Sequence, residues 1–147
     1  MPRCELIAEL ATNHAGDRQL AEEMIGAAAA AGADWVKTQG YQRHHLSPTD
    51  PQYEWLSRCQ LSARDHDRFA DVAATCGVRY LVTVFHGDDL DAIRTDIPLK
   101  VGSGESQHGL SAHPRVQFVS YAWGRCPPAA IDAPPAGRRW RLATVPL

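Results

Sequence analysis

The feature that most restricts this chain is an alternation of periods. Over residues 4–102, short apolar runs take turns with segments whose apolar residues recur at i, i+3 and i+4, and caps or glycines mark each change. Residues 4–10 (CELIAEL) read as a strand, followed by the polar turn Thr12-Asn13-His14-Ala15-Gly16. Asp17 is a good N-cap for a helix reaching about Ala31, with Gly32 where a left-handed C-cap belongs. Its apolar stripe is Leu20, Met24, Ala27, Ala28 and Ala31. Residues 33–38 (ADWVKT) form a second strand. A long connection with Pro48 and Pro51 holds a helical turn at 53–56. Ser62 caps a further helix with the stripe Phe69, Val72, Ala73 and Cys76, closed by Gly77. Residues 78–85 (VRYLVTVF) are a third strand, 88–95 a short helix and 99–102 a fourth strand.

The order β-α-β-α-β-α-β calls for parallel strands with crossover helices, an α/β fold. Three and a half βα units make a partial (βα)8 TIM barrel, about half of a fold that typically takes ~250 residues. On length alone, a small flavodoxin-like sheet is the alternative.

The pattern stops near Leu110. Residues 1–110 carry ten Lys or Arg against sixteen Asp or Glu, whereas 111–147 carry five Arg, one acid and six of the ten prolines. Beyond 116–121 no period persists there, so 111–147 reads as an irregular Pro/Arg-rich tail. Such an abrupt change is what a frameshift in a GC-rich gene would produce.

Several function classes fall away. A formal net charge of −2 argues against nucleic acid or an anionic membrane as partner. The longest small-apolar stretch, 24–33, is far short of the ~20 residues that span a bilayer. Glu5 and Glu9 interrupt any leader-like apolar run, so a cytoplasmic chain is expected. The four cysteines have no metal-type spacing and read as free thiols, Cys4 and Cys76 at apolar positions. The pair His44-His45 reads as solvated loop, since adjacent side chains usually diverge, and His66 reads as surface or rim.

Chemistry-bearing residues gather at one end of the strands. Glu9 closes the first, Lys37 and Gln39 the second, Thr83 the third, and Lys100, Ser103 and Glu105 bracket the end of the fourth. The carboxyl ends of parallel strands line the sites of such folds. A lysine among apolar neighbours, as in Trp35-Val36-Lys37, is costly to bury without an anion. Two lysines at one mouth could hold a phosphate and a carboxylate, with Ser103 between two glycines supplying close donors. The competing reading pairs Lys37 and Lys100 with Glu9 and Glu105 as buried ion pairs.

These strand ends resemble a known family. Ile7-Ala8-Glu9-Leu10 with Asn13-His14-Ala15-Gly16-Asp17 is similar to the opening "IAEIG-NHNGD" of the sialic acid synthases (N-acetylneuraminate synthase and its relatives). Ala31-Gly32-Ala33-Asp34-Trp35-Val36-Lys37-Thr38-Gln39 is similar to their "AGADAVKFQ", and Lys100-Val101-Gly102-Ser103-Gly104-Glu105 to "KIGSGE". The resemblance spans residues 4–110 and implies the N-terminal part of a βα barrel. It also implies condensation of phosphoenolpyruvate with an N-acetylated hexose of the N-acetylmannosamine type, giving a nonulosonic acid and phosphate. Lys37, Thr83, Lys100 and Ser103 would then hold phosphoenolpyruvate, and Glu105 the sugar. Glu9 would stand by the reacting carbons, and Asn13, His14 and Gln39 would support the site.

The departures are equally specific. Thr38 replaces a Phe at a wall position, and Val84 and His86 replace the Pro and Asp of "TPFD". The divalent metal (Mn or Mg) that the resemblance implies is held by two histidines of the second barrel half, which has no counterpart here. Residues 111–147 match nothing in the family. A truncated synthase that is inactive alone is therefore expected. An inactive fragment or a small anion-binding or interaction module is the alternative, and open sheet edges at strands 1 and 4 favour a homo-oligomer.

Overall fold

The computed structural model describes residues 5–102, 110, 113–121 and 140–143. Its strands are β1 (Ile7–Ala11), β2 (Trp35–Gly40), β3 (Arg79–Val84), β4 (Leu99–Val101), β5 (Val116–Tyr121) and β6 (Trp140–Ala143). The helices are α1 (Arg18–Ala30), α2 (Tyr53–Cys59), α3 (Ala63–Thr75) and α4 (Asp89–Ala92), with a 3-10 turn at Arg43–His45. All six strands lie in one sheet in the order β1-β2-β3-β4-β5-β6, and every neighbouring pair is parallel. That order decides between the two sequence readings. A doubly wound sheet reverses direction at a switch point, whereas barrel strands simply follow one another.

The caps explain where the helices begin. Asp17 accepts from the amides of Gln19 and Leu20, and Ser62 and Asp65 form a reciprocal capping box. Gly32 and Gly77 follow the two long helices with φ of +88° and +76°, a conformation that costs a Cβ-bearing residue about 1 kcal/mol or more.

One face of the sheet is covered by helices. Val36, Tyr80, Val82, Val84, Leu99, Val101 and Val116 pack there with Ala21 and Ile25 of α1 and Phe69, Ala70 and Ala73 of α3. The stripe of α1 is rotated from its sequence reading: Ala21 and Ile25 are fully buried, while Leu20 is exposed. Gly40 ends β2 on this side, where a Cβ would come within 2.8 Å of Val82 and 3.1 Å of Ile93. Any larger residue would push the connection that carries α4 away from the strand end.

Residues 116–121, where the sequence period persists, form β5, and among the described residues the tail departs from its expected irregularity in β6. The tail contributes β5 and β6, so β4 is not an edge; among the described residues the sheet edges are β1 and β6. Composition missed this because proline and arginine counts say nothing about a short segment that only has to complete a ladder. Arg115 fastens the tail by donating to the carbonyls of Leu90, Ile93 and Arg94 at 2.5, 2.8 and 2.7 Å. Two further expectations fail. Cys76 is exposed, and among the described residues Cys59 is the buried thiol, Cys4 lying outside them; His66 is buried. Among the described residues no helix is long and apolar enough to cross a membrane.

Candidate functional site

Strand alternation places Glu9, Lys37, Gln39, Thr83 and Lys100 on the sheet face opposite the helices. The register stacks them in rows. Glu9, Lys37 and Leu81 are partners in one row, and Gln39, Thr83 and Lys100 in the next toward the carboxyl ends. Below them Trp35 and Leu81 form a small separate apolar cluster. Arg79 lies over the Trp35 ring at 3.9 Å and is paired with Glu5.

Lys37 is the hub. Its side chain is 8% exposed, and its ammonium pairs with the Glu9 carboxylate, which is 49% exposed. Lys37 Nζ also donates to Thr83 Oγ1 at 2.7 Å. The buried charge thus has an anion and a hydroxyl, as burial of a cation requires. Glu9 is held from behind, since its Oε1 accepts the Ala11 amide at 3.0 Å. Ala11 has φ +45°, and the β1–β2 register slips between Glu9 and Ala11. A left-handed alanine costs about 1 kcal/mol, and such strain often collects where a loop must aim a functional group.

The structure therefore brings Glu9, Lys37 and Thr83 together, with Gln39 and Lys100 in the adjoining row. Of the two sequence readings for Lys37, the ion pair with Glu9 is realised. Ser103 and Glu105 lie outside the described residues. Asn13 is exposed, its amide donating to the Leu10 carbonyl at 3.0 Å. His14 turns inward, 1% exposed, with Nδ1 accepting the Gly16 amide at 3.1 Å. Burial and then the charge of Arg18 push the His14 pKa down. Arg18 ties this loop to the next one, bonding the carbonyls of Gly16 and Gln60 and both oxygens of Asp65.

A second group forms where β2 and β3 end. The 3-10 turn sets the rings of His44 and His45 4.0 Å apart, and both reach Asp88 Oδ2 through Nε2, at 3.4 and 3.0 Å. The adjacent histidines do not diverge as expected, because the tight turn brings both to one acid. Two imidazoles and one carboxylate could hold a divalent ion, and this donor set suits Zn²⁺ or a similar late first-row ion better than Mg²⁺.

Sequence reasoning missed a polar cluster on the helix side. Tyr80 Oη lies 2.5 Å from Thr38 Oγ1 and 2.9 Å from His66 Nδ1. Burial pushes His66 down to about 4 and Tyr80 well upward. Thr38 thus answers to Tyr80 behind the sheet, away from Lys37. Its place beside Val36, on the even-numbered face of β2, was the available signal.

Comparison with known proteins agrees with this geometry. The chain is 34% identical over 119 residues to an N,N'-diacetyllegionaminic acid synthase of Legionella pneumophila, covering 69% of this chain and 33% of that protein. A synthase of the same name from Campylobacter jejuni is 27% identical over 116 residues, covering 69% and 34%. The chain thus spans about a third of the length of the curated relatives it matches. The crystal structure of an N-acetylneuraminic acid synthetase from Leptospira borgpetersenii, in complex with citrate, superposes with a TM-score of 0.76 at 21% identity, over 89% of this chain and 48% of that one. A spore coat polysaccharide biosynthesis protein E from Chromobacterium violaceum gives 0.55 at 14% identity, over 85% and 51%. The fold is accordingly the N-terminal portion of a TIM barrel. Residues 24–111 match the model of the NeuB family, and the chain belongs to that family.

Proposed function

We propose that this chain carries the phosphoenolpyruvate half of a synthase that joins phosphoenolpyruvate to an N-acetylated hexose, of the N-acetylmannosamine type, with release of phosphate. The observation that supports it is the strand register that gathers Glu9, Lys37, Gln39, Thr83 and Lys100 in adjoining rows toward the carboxyl ends of parallel strands. In this reading Lys37 and Lys100 meet the phosphate and carboxylate of phosphoenolpyruvate, with Thr83 and Ser103 as neutral donors. Substrate C3 attacks the sugar aldehyde, positive charge develops at C2, and water adds there as phosphate leaves. Glu9, half exposed beside Lys37, stabilises that charge or takes the proton of the attacking water. Glu105 contacts the sugar, while Asn13, His14 and Gln39 support the loops around it.

The chain covers only part of a barrel, and the reading gives residues 1–147 no turnover alone. The divalent ion (Mn or Mg) belongs, in this reading, to ligands that the rest of the barrel supplies. The β1 edge carries exposed Leu6 and Ile7, which favours pairing with a second copy. Sedimentation should show self-association, and a monodisperse monomer would oppose that part.

The decisive experiment joins residues 1–110 to the second half of a related barrel and follows phosphate release from phosphoenolpyruvate with and without sugar. Turnover is expected in the joined protein and absent from 1–147, and Glu9→Gln should remove most of it. Sugar-dependent release by 1–147 alone, or none by the joined protein, would overturn the reading.

A further inference from the structure

We propose that His44, His45 and Asp88 bind one late first-row divalent ion, Zn²⁺ being the best match, in a site held in shape by Asp89. The three ligand atoms lie within 4.8 Å of one another. Tetrahedral coordination at about 2.1 Å sets ligand atoms about 3.4 Å apart. The observed separations of 3.0 and 3.4 Å from Asp88 Oδ2 to the two Nε2 atoms are close to that spacing.

The supporting residues are those that a metal-bound imidazole needs. Asp89 has a side chain 2% exposed, and its Oδ2 accepts from the amides of His86 and Phe85 at 3.0 and 3.4 Å. Its other oxygen is buried with no hydrogen-bond partner and points at His45 Nδ1, 3.6 Å away, which is also buried without one. A small ring rotation closes an Nδ1–H to Oδ1 bond. That bond fixes the tautomer in which Nε2 carries a lone pair toward Asp88 and His44. His86 stacks on His45 at 3.9 Å and 26°, holding the ring plane. Three protein ligands leave at least one position for water or a substrate oxygen. The site lies in the loops after β2 and β3, the same end of the sheet as Glu9, Lys37 and Thr83, and does not depend on the reaction proposed above.

The test uses the tag-free 147-residue chain. Co²⁺ is titrated with visible absorption as the readout, and Zn²⁺ affinity is measured against a chromophoric chelator. One equivalent should bind, with ligand-field bands and no thiolate charge-transfer band. His44→Ala and Asp88→Asn, at side chains 68% and 63% exposed, leave the core untouched and should each weaken Zn²⁺ at least tenfold. Asp89→Asn should keep the stoichiometry and bands while lowering affinity ten- to a hundredfold. Unchanged affinity in the His44→Ala/Asp88→Asn double variant, a thiolate band, or tighter binding of Mg²⁺ than of Zn²⁺ would overturn the proposal.

Discussion

Two faces of the same strands follow different rules. Behind the sheet, Val36, Tyr80, Val82 and Val84 meet α1 and α3 in a continuous apolar core, and the polar groups there, Thr38, Tyr80 and His66, bond to one another. In front, successive rows of the same strands carry Glu9 and Lys37, then Gln39, Thr83 and Lys100, over the small Trp35–Leu81 cluster. The helix face carries the continuous apolar core of the described residues. The front face corresponds to the inner side of the barrel fold, and among the described residues it carries the polar rows. Substitutions behind the sheet should therefore cost stability, and those in front should cost binding.

The largest effect belongs behind the sheet. Phe69 is fully buried between α3 and the strands, and Phe69→Ala should lower unfolding stability by about 3–5 kcal/mol. A shift of the urea midpoint worth less than about 1 kcal/mol would mean that this core is loosely packed and that the contrast between faces is false.

The next effect is a pH dependence on the same side. His66 is held neutral by burial, its pKa pushed down to about 4, against about 6.5 in an unfolded chain. Between those values the unfolded chain binds a proton that the native one refuses. Stability is thus full above pH 6.5 and falls as pH drops toward 4, by roughly 3 kcal/mol. His14, also pushed down by burial, acts in the same direction. Urea midpoints measured across this window should slope less in His66→Gln. Equal slopes would remove His66 from the account.

How far the sequence anticipated these faces depends on which physical signal carried the information. Caps at Asp17 and Ser62 and the helix-ending glycines are local, and α1 and α3 begin and end within a residue or two of their expected positions, whereas the uncapped α2 and α4 end three residues away from theirs. The gathering of Glu9, Lys37 and Thr83 at one end of the strands was legible because strand ends are marked by the turns that follow them; that they share one face came from the register. Three things were not legible. The pairing of β5 and β6 depends on an existing ladder to extend, which composition does not encode. The burial of His66 depends on Tyr80, 14 residues away on another element. The convergence of His44 and His45 on Asp88 depends on a 3-10 turn and on a loop more than forty residues distant.

In front of the sheet the expected loss is in binding. If Lys37 meets an anionic group of phosphoenolpyruvate, Lys37→Met should weaken calorimetric affinity by roughly 1.5–3 kcal/mol, the worth of a charge-assisted contact. Lys100→Ala should act comparably. Affinity unchanged in both variants would separate the front face from phosphoenolpyruvate altogether.

The smallest effect is the sharpest test of the contrast, because it uses the same variant. Lys37 is nearly as buried as the core residues behind it, and a buried charge that lost its partner would be expensive. Here the change removes the buried member of the pair, while Glu9, 49% exposed, keeps access to water. Methionine fills a similar volume without a charge to desolvate, and exchanging a buried ion pair for apolar packing is often neutral. The remaining cost is the hydrogen bond to Thr83 Oγ1, worth about 1 kcal/mol. Lys37→Met should therefore change unfolding stability by no more than about 1 kcal/mol, in either direction, while binding falls. A loss of 3 kcal/mol or more would instead make the Glu9–Lys37 pair a structural clamp between β1 and β2. The front face would then contribute to stability much as the core does.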